Sequence, residues 1–350
     1  MQIDFHHAVT YVIARLAGFG PREAALVAHA SQYVDDATED GTILFSNGAR
    51  YSRISSAHKL LDYRNFAALA ASRVWLPFHF LPGNMGLPAG EEPEGPFINR
   101  LVTIPNSAVA RDVVRAAIAD RDAPHALHRL GITMHVYADT WAHQGFAGLQ
   151  HAVNGATELT NEDGGPDQPL VERLKNYFVN NALPLGHGTV LSHPDRPYLV
   201  WAYTNGLGER VTRNNPDDYL DAAEHMCRAL QCFRAGDPDA DAPGLPEADR
   251  VTLQRLLRDV REPDGEGRHA AWRREIAAGA FGFGPEELAY VPKGPGSWKG
   301  AALGEPDGRG YYEYSSGFLA SDWKRFHDAL ILHRYDVVYR ILPRYGICTA

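Results

Sequence analysis

The segment from Leu130 to Phe146 constrains this chain more than any other part of it. It reads Leu-Gly-Ile-Thr-Met-His-Val-Tyr-Ala-Asp-Thr-Trp-Ala-His-Gln-Gly-Phe, which sets His135, Asp139 and His143 four residues apart, twice over. It has no Pro, and its early Gly131 precedes the first histidine. On an α-helix, residues four apart lie on one face, one turn above another, so the three side chains converge. Two imidazoles and a carboxylate on one side are the donor set of a borderline divalent metal such as zinc. The alternative is an amphipathic helix with a solvated polar face. The neighbours Ile132, Met134, Val136, Ala138 and Trp141 are apolar and fit that alternative poorly.

The rest of the composition narrows the class. The 350 residues are 45% hydrophobic, ample for a sizeable core. A formal net charge of −9 disfavours broad coating of nucleic acid. Cys227, Cys232 and Cys348 make no disulfide framework, and the close pair lacks the second pair that a zinc ribbon needs. The start, Met-Gln-Ile-Asp-Phe-His-His, is polar and unlike a secretory signal. No run of about 18 apolar residues suggests a membrane span. These features predict a soluble, cytoplasmic protein. No internal repeat, phosphate-cradling loop or nucleophile elbow is present.

Apolar periodicity predicts helices over residues 3–17, 21–35, 57–74, 106–122, 170–181, 216–234, 248–261, 267–278 and 318–342, besides the central one. Residues 41–56 read as irregular or weakly stranded, and 235–247 as a linker or loop. His6 and His7 fall in the first turn of the first helix. A cation there opposes the helix dipole, so at least one imidazole is expected to be neutral and able to ligate. Asp35 and Asp36 end the second helix, where the dipole disfavours carboxylates and an arginine or a metal should offset them. His79 sits in the Pro-bounded segment Trp75–Pro82, and His187 lies between two glycines that let backbone come close. His125 and His128 read as surface or supporting residues. His327 and His333, six apart, read as structural.

The order of these motifs resembles the zinc-dependent phospholipase C and S1/P1 nuclease superfamily. The chain shares an N-terminal helix with an early His, a helix ending in Asp, a His-Phe pair, and a helix reading Gly-Ile-Thr-x-His-x-x-x-Asp. The central segment is similar to the glycosylphosphatidylinositol phospholipase D branch, where a Trp and a His follow soon after the Asp, as Trp141 and His143 do here. The motifs cover roughly the first 190 residues. The resemblance implies a mostly helical fold and a cluster of usually three zinc ions that activates water against a phosphate ester. It implies His6 or His7, Asp35, His79, His135, Asp139 and His143 as ligands, with Asp35 bridging. His187 stands in, by position and chemistry only, for a later ligand pair that is absent. The family's ligating N-terminal Trp is also absent, with Met1 at that place.

The expectation is therefore an all-α, phospholipase C/P1 nuclease-like multi-helix bundle with long irregular loops. It forms a single domain over 1–350, with a metal-site core over about 1–235 and a helical extension over about 248–350. The expected function is metal-dependent hydrolysis of a phosphoester with one to three zinc ions or another divalent transition metal. Asp35 would bridge metals or act as general base, and Asp36 would orient a ligand. The alternatives are hydrolysis of an amide or other small polar substrate, and a metal-stabilised binding or scaffold protein without turnover.

Overall fold

The structure is a computed structural model and describes residues 1–57, 71–161 and 186–348. A π-helical segment, Asp4–Val9, runs directly into α1 (Thr10–Leu16). Helix α2 (Pro21–Asp36) opens with Pro21 in its first turn, and Glu23 Oε2 accepts the Gly20 N–H at 3.1 Å. That arrangement satisfies a donor which the helix itself leaves free. Strands β1 (Gly41–Leu44) and β2 (Arg50–Arg53) form an antiparallel pair. Further along come α3 (Leu76–Phe78), α4 (Ile98–Leu101), α5 (Ala108–Ala119) and the central helix α6 (Ala126–Ala142). Strands β3 (Ala156–Asn161), β4 (Val200–Asn205) and β5 (Arg210–Asn214) form a second antiparallel sheet in that order. Helices α7 (Asn215–Ala235), α8 (Glu247–Asp259), α9 (Gly265–Ala277), α10 (Trp298–Leu303) and α11 (Asp322–Tyr335) complete the chain.

The all-α expectation is corrected by the two sheets: the chain is 52% helical and mixes helix with strand. The reason lies in how short the strands are. In β4, Trp201 and Tyr203 are buried and alternate with less buried neighbours, which is strand periodicity over only six residues. β3 reads Ala-Thr-Glu-Leu-Thr-Asn and carries little apolar alternation at all. The helix expected over 170–181 lies outside the described residues, as does most of the one expected over 57–74.

Helix α6 packs against α2, α5, α7 and α11 and is buried along its length except at Leu127. The main apolar cluster draws on both ends of the chain, from Phe5 and Val12 to Trp272 and Ile347. Burying each such side chain contributes roughly 1.5–3 kcal/mol. A second cluster under β1 and β2 joins Phe45 and Phe78 to Trp323 and Phe326. Among the described residues no helix is long and apolar enough to cross a membrane.

Gly131 sets the spacing between α2 and α6. A Cβ there would run into the Val27 carbonyl oxygen and the Ala30 side chain, so only glycine allows this approach. Gly131→Ala is expected to lower stability by about 1–3 kcal/mol, the usual cost of overpacking a tight contact. A urea midpoint equal to the parent's would show that the helices part without cost.

Candidate metal centre

The close approach at Gly131 brings the last turns of α2 beside the face of α6 that carries His135, Asp139 and His143. All three are buried. Asp139 is the hub. Its Oδ2 lies 3.3 Å from His135 Nε2, 3.4 Å from His79 Nδ1 and 3.6 Å from His143 Nδ1. Its Oδ1 lies 3.2 Å from His6 Nε2 and 2.6 Å from the Met1 amino nitrogen. Asp35, at the end of α2, has Oδ1 3.9 Å from both His79 Nδ1 and His135 Nε2. The His6 ring stacks on His135, centroids 3.7 Å apart.

A second half of the centre lies toward the loop before β4. His143 Nε2 is 3.9 Å from Asp195 Oδ1, and His187 Nε2 is 3.8 Å from Asp195 Oδ2. Phe80 stacks on His143 at 4.4 Å and closes that side. Three triads thus each have donor atoms within 4.8 Å of one another: His6, Asp35 and His135; His79, His135 and Asp139, which shares His135 with the first; and, separately, His143, His187 and Asp195.

Backbone carbonyls orient four of the rings. A carbonyl only accepts, so each contacting nitrogen carries the hydrogen. His135 Nδ1–H donates to Ser31 O at 2.9 Å, and His79 Nε2–H to Ser56 O at 2.9 Å. His143 Nδ1–H donates to His79 O at 2.7 Å, and His187 Nδ1–H to Leu191 O at 2.8 Å. In the neutral rings the opposite nitrogens carry lone pairs. His135 Nε2 and His79 Nδ1 therefore face each other at 3.3 Å, with Asp139 Oδ2 completing a triangle of acceptors. Three acceptors this close repel unless a cation sits among them or His79 Nδ1 takes up a proton. Ring orientation by outer hydrogen bonds is the habit of metal-ligating histidines.

The electrostatics agree with that picture at His6, His143, Asp139 and Asp195, and depart from it at His79. Burial lowers the His6 imidazole well below its ordinary range and pulls His143 down to about 3. Burial alone would raise the Asp139 carboxyl, but His143, the Met1 amine, His135 and His6 outweigh it and hold the group well below the usual range. Asp195 follows the same pattern through the Met1 amine, His187 and His143. Burial lowers His79 too, yet its contacts with Asp139 and Asp35 win and raise it. Asp35 keeps a third of its side chain accessible, and the crowding of protein around it still raises its carboxyl.

One family model matches residues 1–341, nearly the whole chain, and is described as a family of unknown function (DUF6765). The chain belongs to this family. No curated protein and no solved structure matches it.

The structure brings together His6, Asp35, His79, His135, Asp139, His143 and His187. It does not bring in His7 or Asp36. The His7 ring points elsewhere, with Nδ1 2.9 Å from His269 Nε2. The Asp36 carboxylate accepts the Tyr290 hydroxyl at 2.6 Å and Gln32 Nε2 at 3.3 Å. Asp195 is the residue that sequence reasoning passed over. It stands in a 3-10 turn, His193–Asp195, within the Pro-rich stretch His-Pro-Asp-Arg-Pro, where no periodicity marks it. Its proximity to His187 in the chain was the available signal.

Proposed function

We propose that the protein is a metal-dependent hydrolase acting on a phosphoester. The observation that carries this reading is the acceptor triangle of His79, His135 and Asp139, buried and held in place by backbone carbonyls. Such an arrangement suits a borderline ion of the zinc type. His143, His187 and Asp195 would hold a second ion, and His6 with Asp35 would extend the first pocket. A bound divalent ion supplies Lewis acidity and lowers the pKa of a water towards neutrality. Asp35 has the most open carboxylate side chain of the central group, which supports a role in orienting water or taking its proton. Asp36, engaged by Tyr290, is left to position the end of α2. The motif order shared with the phospholipase C and S1/P1 nuclease superfamily supports a phosphoester as substrate.

The test is elemental analysis of the purified protein, followed by a screen of phosphodiesters and phosphomonoesters with zinc and other divalent ions. Bound metal together with turnover supports the reading. Metal without turnover of any phosphoester favours a metal-stabilised scaffold, and absence of metal after reconstitution overturns both. His187 offers a sharper check because its ring is partly exposed. His187→Ala is expected to lose about one metal equivalent on dialysis against a mild chelator, with an unchanged circular dichroism spectrum, since the second ion would have only His143 and Asp195 left to hold it. Parent-like retention would remove it from the centre.

A further inference from the structure

A cleft of about 530 Å³ opens at the C-terminal end of α2, with Asp36 on its wall, one residue from Asp35. That size suits a small organic ligand. Arg53 from β2 and Lys299 from α10 line it, and both reach the same oxygen of Glu39. Arg53 Nη1 is 2.6 Å and Lys299 Nζ 3.0 Å from Glu39 Oε2. The two cations are more enclosed than the acid between them: Arg53 is 18% and Lys299 35% exposed, against 60% for Glu39. An exposed glutamate is thus shared by two less exposed cations from separate elements, in a cleft that Asp36, Lys293 and Glu305 also line. His327 also lines the cleft; it is 2% exposed, and its ring centroid lies 4.5 Å from that of Trp323. Its Nδ1 is buried and has no hydrogen-bond partner, a polar atom left for a ligand to satisfy.

We infer that this cleft binds an organic anion, whose carboxylate or phosphate takes the place of Glu39 between Arg53 and Lys299 while its body reaches toward His327. The inference names the recognition site for a substrate of the proposed hydrolytic centre and rests on that reading for its purpose. The anion's binding itself needs no turnover. Glu39 then serves as an internal occupant that any ligand must displace, so it sets the threshold of affinity.

The probe is phenylphosphonate, with uncharged benzamide as control, titrated calorimetrically into the zinc-loaded protein. Lys299→Gln and Arg53→Gln are each expected to weaken phenylphosphonate binding about tenfold or more, the effect of losing a charge-assisted hydrogen bond. Glu39→Gln is expected to tighten it several-fold by removing the competitor. Benzamide should bind none of the four proteins measurably. Lys299 is partly exposed, so its variant keeps the test valid if Arg53→Gln fails to fold. No binding to the parent, or equal affinity for the parent and Lys299→Gln, overturns the inference. Binding that responds to Lys299 and Glu39 in a protein that hydrolyses no phosphoester upholds the cleft and removes the proposed reaction. Hydrolysis with binding indifferent to both residues does the reverse.

Discussion

Asp139→Asn is expected to leave the protein with little bound metal and no turnover while its helical content stays near the parent's. The carboxylate touches His6, His79, His135 and His143 and is almost completely buried. The amide keeps the shape and removes the charge that makes the pocket attractive to a cation. Loss of an outer hydrogen-bond partner alone typically costs about 10–100-fold in metal affinity. Loss of the central anion should exceed that. Metal content by elemental analysis, with circular dichroism as the folding control, decides the matter. Parent-like metal content would mean that Asp139 is only a structural partner of the Met1 amine.

Metal-free protein is expected to lose stability steeply as pH falls below about 6.5. The cause lies partly outside the centre, in His327 and His333. Both are fully buried, and burial brings each imidazole down to about 3. His333 Nε2–H donates to Pro77 O at 2.9 Å, and its ring stacks on Phe78. In the unfolded chain these rings titrate near the ordinary value of about 6.5. The unfolded state therefore binds more protons between about pH 6.5 and 3. Stability is full above that window and falls through it as pH drops, by about 1.4 kcal/mol per unit for each such group. His79, whose pKa is raised, acts above that window instead: its stabilising contribution is complete below about 6.5 and is lost as pH rises through its folded value. Two such histidines are enough to consume much of a typical folding stability of roughly 5–15 kcal/mol by pH 4. Urea midpoints measured from pH 7 to 4.5 in chelator should show the fall. His333→Gln should flatten it by one group's share, and an unchanged slope would show that His333 does not contribute.

The parts of the centre that were legible in the sequence are those with a period. His135, Asp139 and His143 announce themselves because an α-helix converts a spacing of four into a common face. Asp35 was visible through its unfavourable place at a helix end. The choice between His6 and His7 was not legible, because Asp4–Val9 is π-helical and its turns do not keep the α-helical phase. Both rings are fully buried, so hydrophobic pattern does not separate them either. Asp195 and the sheet of β3, β4 and β5 share a different obstacle. They are set by pairing and loop geometry between distant segments, which local periodicity does not encode. The role of Gly131 was hidden for the same reason: what excludes a side chain there belongs to α2.

The residues of the centre run from His6 to Asp195, more than half of the 350-residue chain. A nascent chain must therefore emerge past that point before an ion can meet its complete set of partners. An ion bound by all of them closes several long loops at once, as a set of cross-links would, and the entropy removed from the unfolded ensemble grows with the length of those loops. Such an ion would act as the last fastening of the fold as well as a reagent, so the supply of metal during synthesis would govern how much of this protein accumulates.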